Sequence, residues 1–257
     1  MSLDSKVAVV TGAAGGIGRA ASIELARAGA SLLLVGAHED GLQQTARAVG
    51  EAGGRARLHV ADVSRSDDVR AYVAAAVEAY GRIDVLFNNA GIEGPLGPTV
   101  DYPDEEFDRV IAVNVRGVFL GLKHVLPGMI AQGSGSIVNN ASTAGHAGFS
   151  LLCAYTASKH AVIGLTKVAA AEAGPAGVRV NAVSPGPIET RMMRAIERGR
   201  NPGDPEAVKR RVMERVPLGR YGDAAEIARV VRFLASDDAS YVNGAVWLID
   251  GGRLAAP

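Results

Sequence analysis

The chain has 257 residues, with 27 basic and 27 acidic side chains, 32 glycines and one cysteine. The balanced charge argues against nucleic acid or an anionic membrane as a main partner, because both attract proteins with a basic excess. One cysteine excludes an internal disulfide framework, and no apolar run approaches the roughly 18 residues of a membrane span. The first residues lack the charged-then-apolar order of a signal peptide, so we expect a cytoplasmic protein.

Short apolar runs alternate with longer stretches of helical periodicity along the chain. The runs predict strands at 7–10, 32–35, 58–60, 85–87, 137–138, 178–180 and 245–249. The stretches between them predict helices at 16–28, 41–52, 67–80, 104–132, 154–173 and 224–234. Parallel strands need crossover helices, so this alternation predicts one α/β domain with a doubly wound, mostly parallel sheet of about seven strands and helices on both faces.

One region, 184–221, departs from this alternation because it is rich in Pro, Gly and Arg. A loop of this length inside a compact domain usually has a function, so we expect a substrate-binding lid with short helices near 191–198 and 205–215. Acidic residues alternate with the basic ones, which favours a solvent-exposed lid over recognition of an anionic substrate. The basic residues of the stretch 191–211 are Arg191, Arg194, Arg198, Arg200, Lys209, Arg210 and Arg211.

A glycine-rich turn follows the first predicted strand, where residues 11–19 read TGAAGGIGR. Gly12, Gly16 and Gly18 stand at the point where a strand turns into a helix. Without a Cβ, the chain can turn tightly and a pyrophosphate can approach the backbone at the N-terminus of the helix. The turn therefore predicts a dinucleotide-binding site.

A second pattern concerns proton transfer. Tyr155 and Lys159 are four residues apart, which places both side chains on one face of a helix. A free phenol has a pKa of roughly 10, and a neighbouring ammonium favours its ionised form. Ser142 follows a predicted strand, where its hydroxyl could hold a substrate oxygen beside the phenol. The three residues are candidates for general acid–base chemistry.

The order of these motifs resembles the short-chain dehydrogenase/reductase family, whose members have a single Rossmann domain. The matching segments are the glycine turn, NNAG at 88–91, Asn114 in the long helix, Ser142, the Tyr-x-x-x-Lys pattern at 155–159, Pro185-Gly186 and DGG at 250–252. The match runs in order from Lys6 to about Gly252. Each motif alone is weak evidence, but the ordered set is specific.

The resemblance implies a role for each catalytic candidate. Tyr155 would give a proton to a carbonyl oxygen or take one from an alcohol, and Ser142 would orient that oxygen. Lys159 would bind the nicotinamide ribose and lower the pKa of Tyr155. The backbone carbonyl of Asn114 would hold a water that links Lys159 to solvent. The cofactor would carry the hydride.

The resemblance also implies a set of cofactor-binding residues. Phosphates would meet the glycine turn, adenine would meet the end of the third strand, and the nicotinamide would meet the segment after the sixth. These residues are Gly12, Gly16, Ile17, Gly18, Asp62, Val63, Asn88, Ala90, Gly91, Tyr155, Lys159, Pro185, Gly186, Ile188 and Thr190.

The choice between NAD and NADP depends on the end of the second strand. NAD-binding relatives often have an aspartate where this chain has Gly36, and NADP-binding ones often have an arginine where it has Ala37. His38 could contact a phosphate if protonated, Arg19 is close in sequence, and Glu39 would repel a 2′-phosphate. On balance these residues favour NAD.

The substrate is expected to be a small carbonyl or alcohol. Segments 88–95, 116–122 and 236–243 resemble bacterial NAD-dependent reductases of cyclic diketones, although Gly36 departs from that subgroup's NAD pattern. An apolar or cyclic ketone or secondary alcohol suits the expected pocket better than a sugar phosphate or an acyl-carrier thioester. The expected pocket residues are Ala144, His146, Phe149, Leu152, Pro187, Met192 and Met193.

The same residues argue against other functions of a Rossmann-like domain. A dinucleotide-binding regulator or scaffold would normally have lost the tyrosine, lysine or serine, and a Rossmann-like methyltransferase has no use for Tyr155 and Lys159. The five histidines show no metal-ligand spacing, so no metal is expected. Cys153 is expected to be a small filler beside the site. Relatives assemble through the helices at 104–132 and 154–173 and the last strand, which implies a homotetramer.

Overall fold

The computed structural model describes residues 1–255 and contains one seven-stranded sheet in which every neighbouring pair is parallel. The order of the strands across the sheet is β3-β2-β1-β4-β5-β6-β7. The strands are β1 Val7–Thr11, β2 Ser31–Gly36, β3 Arg55–Val60, β4 Val85–Asn88, β5 Gly135–Asn140, β6 Val178–Pro185 and β7 Val246–Ile249.

Helices cover both faces of this sheet. They are α1 Gly16–Arg27, α2 Glu39–Glu51, α3 Ser66–Tyr80, α4 Asp104–Ile111, α5 Gly117–Gln132, α6 Cys153–Ala173, α7 Arg191–Arg200, α8 Pro205–Glu214 and α9 Ala224–Ala235. The predicted fold, a doubly wound parallel sheet with helices on both sides, is confirmed.

The two faces of the sheet have separate hydrophobic cores. On one face Leu25 of α1, Leu42 of α2 and Ile227 of α9 are fully buried, and on the other Tyr72 of α3 and Met129 of α5 are buried. All five residues of β1 are buried, as expected for a strand covered on both sides. Packing on both faces therefore fixes the positions of the ends of the central strands.

The predicted helix at 104–132 is present but is not uniform. A π-helical turn, Ala112–Arg116, separates α4 from α5 and contains the buried Asn114. Because a π turn breaks the regular hydrogen-bond ladder of an α-helix, it often marks a functional position. The continuous stretch Asp104–Gln132 is long and apolar enough to cross a membrane by length and composition alone, and 44% of its most apolar window is buried inside the protein.

The lid predicted at 184–221 contains two helices, α7 and α8, close to the expected positions. Both begin with the expected capping chemistry. Thr190 accepts a hydrogen bond from the backbone N–H of Met193, and Asp204 accepts one from Ala207 with Pro205 at the first helical position. The lid helices pack over the carboxyl end of the sheet.

The direction of strand order reverses between β1 and β4. In open parallel sheets, ligands bind outside the carboxyl ends of the strands at this point. The glycine turn follows β1, and the NNAG segment begins in the last residue of β4. The fold therefore brings these two motifs together at one edge.

Candidate active site

A cleft of about 770 Å³ lies along the carboxyl ends of the central strands. The glycine turn forms one end, and the segment after β5, the start of α6 and the two lid helices surround the other. The cleft is long and continuous, so it can hold a dinucleotide and a second molecule side by side.

Three of the four glycines of the turn leave no free space for a Cβ. Gly12 has a φ of +63°, and a Cβ there would lie 2.8 Å from the Cα of Ala90. A Cβ on Gly16 would lie 2.8 Å from the Cγ2 of Thr190, and one on Gly18 would overlap the carbonyl oxygen of Gly12. Glycine is therefore required at all three positions, both for the turn and for close packing of α1.

Two residues that sequence reasoning missed hold this turn in place. The hydroxyl of Thr11 accepts hydrogen bonds from the backbone N–H groups of Asn89 (3.0 Å) and Ala90 (3.1 Å). The side-chain amide of Asn89 donates to the carbonyl oxygens of Thr11 (3.0 Å) and Gly12 (3.2 Å). The doubled asparagine at 88–89 was the available signal, because one polar side chain at the end of a strand can face the neighbouring loop.

The N-terminus of α1 opens into the cleft with no side-chain cap, since Gly15 occupies the N-cap position. Its first turn also contains no acidic residue. The first backbone N–H groups of a helix have no partner within the helix, and they carry a partial positive charge. An uncapped helix start beside a turn without side chains fits the pyrophosphate of a dinucleotide.

Tyr155 and Lys159 lie in the first two turns of α6 and face the cleft together. The Nζ of Lys159 is 5.5 Å from the centre of the Tyr155 ring and donates a hydrogen bond of 2.7 Å to the carbonyl oxygen of Asn140. The hydroxyl of Ser142 lies beside the phenol and also accepts from the backbone N–H of Ala144 (3.1 Å). The three predicted catalytic side chains converge at one point.

Burial dominates the electrostatics of this group. Desolvation raises the pKa of Tyr155 to about 12, although the hydroxyl of Ser142 opposes the rise. Desolvation also lowers the pKa of Lys159 to about 8. In the chain alone, burial therefore disfavours the charged form of both groups.

Asn114 joins the π turn to the catalytic helix. Its side-chain oxygen accepts from the backbone N–H of Ile92 (2.8 Å), and its amide donates to the carbonyl of Ile92 (2.9 Å) and to the hydroxyl of Ser158 (3.0 Å). Ser158 in turn donates to the carbonyl of Tyr155 at 2.7 Å. The side chain of Asn114 therefore positions the start of α6, a role that the sequence did not suggest.

The predicted cofactor residues fall into two groups. Most of them line the cleft, namely Gly12, Gly16, Ile17, Gly18, Ala90, Gly91, Tyr155, Lys159, Pro185, Gly186, Ile188 and Thr190. Asn88 is buried below it, where its amide donates to Asn139 at 3.0 Å. Asp62 and Val63 lie just after β3, outside the cleft lining. The carboxylate of Asp62 accepts from the backbone and hydroxyl of Ser64.

The end of β2 leaves little room for a side chain, and the nearby cation Arg19 is engaged elsewhere. A Cβ on Gly36 would lie 3.2 Å from Cδ2 of the fully buried Leu42. The guanidinium of Arg19 donates to Thr45 (3.1 Å), to Gln44 (3.0 Å) and to the carbonyl of Ala14 (3.4 Å). Arg19 therefore ties α1 to α2.

The substrate end of the cleft is mainly apolar. Six of the seven expected pocket residues line it: Ala144, Phe149, Leu152, Pro187, Met192 and Met193. His146 is outside the lining, and its ring pairs with the hydroxyl of Ser184 at 2.9 Å. Cys153 is also outside the lining. Among residues 1–255, the structure forms no group of three or more His, Cys, Asp or Glu side chains that could hold a metal.

Comparison with known proteins identifies the family of the chain. The family model described as enoyl-(acyl carrier protein) reductase matches residues 12–253. Levodione reductase of Leifsonia aquatica is 47% identical over 253 residues, which are 98% of this chain and 95% of that protein. A crystal structure of levodione reductase is 46% identical with a TM-score of 0.98, and 99% of each chain is covered. The chain belongs to the short-chain dehydrogenase/reductase family.

Two further solved relatives hold nicotinamide cofactors of different types. NAD+-bound xylitol dehydrogenase is 40% identical with a TM-score of 0.95, covering 98% of this chain and 100% of that one. A variant of actinorhodin polyketide ketoreductase with NADPH is 38% identical with a TM-score of 0.93, covering 98% and 99%. The chain is therefore an NAD(P)-dependent oxidoreductase that acts on CH–OH groups.

Proposed function

We propose that the enzyme interconverts a cyclic ketone and its secondary alcohol with NAD as the hydride carrier. The observation that carries this proposal is the convergence of Ser142, Tyr155 and Lys159 at the apolar end of a cleft whose other end suits a pyrophosphate. The similarity to levodione reductase supports the substrate class, since that enzyme is named for a cyclic diketone.

Each residue has a distinct task in the proposed mechanism. The bound nicotinamide supplies or accepts the hydride. Ser142 donates a hydrogen bond to the substrate oxygen and holds it beside Tyr155, whose phenol gives that oxygen a proton during reduction. Lys159 would hold the ribose of a bound cofactor, and its ammonium would stabilise the phenolate left after proton transfer. Asn114 holds the start of α6 against Ile92, in the segment that follows β4.

A panel of cyclic and open-chain ketones with NADH tests this function by the loss of NADH absorbance. We expect turnover of cyclohexanone-type ketones at a higher kcat/KM than that of phosphorylated sugars or acyl thioesters. Binding of NADH without turnover of any ketone would instead favour a catalytically silent regulator. Turnover of acyl thioesters alone would contradict the proposed substrate class.

The proposed preference for NAD rests on the end of β2. Glu39 lies at the start of α2 near the expected position of the ribose, where its charge would repel a 2′-phosphate. The guanidinium of Arg19 is engaged by α2 and by Ala14. Initial rates with equal concentrations of the two reduced cofactors test this preference, and faster turnover with NADPH would reverse it.

We also propose a cytoplasmic homotetramer. Large apolar side chains are exposed on the surfaces through which assembly is expected, with Phe119 and Ile130 on α5, Val168 on α6 and Leu248 on β7. Contiguous exposed apolar side chains commonly mark protein–protein contacts. Light scattering tests the assembly, and cell fractionation with a cytoplasmic marker tests the location.

A further inference from the structure

The basic side chains of the lid divide into two sets. Arg194 pairs with Glu189, with Glu197 at 2.7 Å and with Glu206 at 3.7 Å, and Lys209 pairs with Glu189 at 3.0 Å. Other pairs join Arg210 to Asp204 at 3.5 Å and Arg191 to Glu93 at 3.8 Å. The acidic residues that alternate with the arginines in sequence are therefore already paired with Arg194, Lys209 or Arg210.

A second set of arginines lines the cleft without such partners. Within residues 1–255, none of them has a carboxylate oxygen within 4.0 Å. They are Arg200 at the end of α7, Arg211 in α8, Arg215 just after α8 and Arg253 after β7. The nearby carboxylate of Asp250 accepts from the backbone N–H groups of Gly252 and Leu254.

Two of these arginines are held by the loop that precedes α6. The guanidinium carbon of Arg253 lies 5.0 Å from the centre of the Phe149 ring, and Arg200 donates to the carbonyl of Ser150 at 2.9 Å. Burial lowers the pKa of Arg253, Tyr221 and Asp250 oppose that change, and the charges of Arg215 and Arg200 add to it. Arg253 is half-buried and the other three arginines are exposed, so four like charges stand beside the cleft, where they attract an anion.

The position of this set separates it from the cofactor phosphates. The pyrophosphate turn follows β1, and the 2′-position of the ribose is expected at the end of β2. The four arginines lie instead beside the substrate pocket, on the lid that follows β6 and on the segment that follows β7. An anion bound by them would belong to the substrate.

We infer that the substrate is a ketone or secondary alcohol that also carries a carboxylate or sulfonate, bound by Arg200, Arg211, Arg215 and Arg253 while its carbon skeleton contacts the apolar pocket. Planar guanidinium groups bind such oxyanions through paired N–H donors. The inference rests on the proposed function, because it describes the far end of the same substrate.

The test compares matched neutral and anionic ketones with NADH. The probes are 4-oxocyclohexanecarboxylate and 3-(4-oxocyclohexyl)propanoate, each beside its methyl ester, and 4-oxocyclohexanesulfonate. We expect kcat/KM for at least one anion to exceed that for the matched neutral ester by about tenfold or more, since a charge-assisted pair outweighs a neutral contact. The KM for that anion should rise with salt.

Variants locate the effect. Arg253→Gln and Arg215→Gln should each reduce the preference for the anion over the ester by about tenfold, and Arg253→Lys should retain part of it. Arg198→Gln is the matched control, because it removes the same charge from α7 but lies outside the cleft lining. The control should keep the preference of the wild type.

The two proposals fail in different ways. Equal kcat/KM for acids, sulfonate and esters, or an equal loss in the Arg198→Gln control, overturns the anion site and leaves the ketone reductase in place. Failure to reduce any of these ketones overturns the proposed function. In that case, NADH fluorescence measures the binding of cyclohexanecarboxylate and of its methyl ester to the enzyme–NADH complex. Equal affinity for the two overturns the anion site, and tighter binding of the acid supports it.

Discussion

Lys159 is a buried cation in the first part of α6, and its ammonium donates to the carbonyl oxygen of Asn140. Desolvation lowers its pKa from 10.5 to about 8 in the folded chain. Between these two values the unfolded chain binds more protons at this group than the folded chain. The free energy of unfolding contributed by Lys159 therefore rises as the pH rises from about 8 to 10.5.

This linkage predicts a pH-dependent effect of Lys159→Met. Wild type gains stability from Lys159 as the pH rises from about 8 to 10.5, and the variant does not. The free energy of unfolding of the variant, relative to that of wild type, should therefore fall over this pH range. Urea unfolding at several pH values measures this difference. Lys167→Met removes an exposed lysine from the same helix and should show no such trend. A Lys159→Met difference that is independent of pH would contradict the lowered pKa.

Single residues were predictable from sequence where one element sets their geometry. Tyr155 and Lys159 share a helix face, so their spacing of four residues was sufficient. Thr11 and Asn89 act through hydrogen bonds between segments far apart in the chain, so the doubled asparagine at 88–89 pointed to a polar contact but not to its partner. The sequence did not favour the proposed anion site, because only the folded lid shows which carboxylates pair with Arg194 and Lys209.

The element that depends most on one residue type is the turn between β1 and α1. Gly18→Ala would force a Cβ onto the carbonyl oxygen of Gly12, so α1 must shift away from the turn. We expect a loss of stability of about 1–3 kcal/mol, by overpacking, and a loss of NADH binding. Thermal unfolding and NADH fluorescence titration measure the two effects.

A matched glycine lies in an open place. Gly50 is in α2, and no atom lies within 4 Å of the position that a Cβ would take there. Gly50→Ala should therefore raise stability by about 0.5–1 kcal/mol through helix propensity. NADH binding should stay at the wild-type level. Equal effects of the two substitutions would contradict the requirement for glycine at position 18.

Elements were predicted where periodicity was clear. The strands and main helices follow from apolar runs and helical spacing, and the caps Thr190 and Asp204 mark the lid helices. The π turn was not predicted, because residues 104–132 read as one helix and the extra residue is accommodated through the contacts of Asn114 with Ile92 and Ser158. Tertiary hydrogen bonds, not local sequence, fix that turn.

For the whole molecule, the proposed homotetramer would bury apolar side chains that a lone chain exposes. Phe119 on α5 is 45% exposed. Phe119→Glu should shift the tetramer to smaller species, because a buried carboxylate without a partner opposes association. Light scattering at micromolar concentration measures this shift. Val100→Glu, at a position 90% exposed outside these helices, is the control and should leave the mass unchanged.

The topology of the molecule was predictable because β–α alternation and right-handed crossovers leave few arrangements of a parallel sheet. The place of the site followed from the glycine turn after β1. The residues that surround the substrate pocket were harder to predict, since they depend on how the lid and the segment after β7 come together over it.

The central claim is that Tyr155 transfers the proton while the glycine turn holds the cofactor. The most direct test measures ketone reduction and NADH binding in parallel for wild type, Tyr155→Phe and Tyr241→Phe, the last removing a hydroxyl from a fully exposed ring. We expect Tyr155→Phe to lose turnover by about 100-fold or more while its affinity for NADH stays close to wild type, and Tyr241→Phe to behave as wild type. Undiminished turnover in Tyr155→Phe would contradict the account.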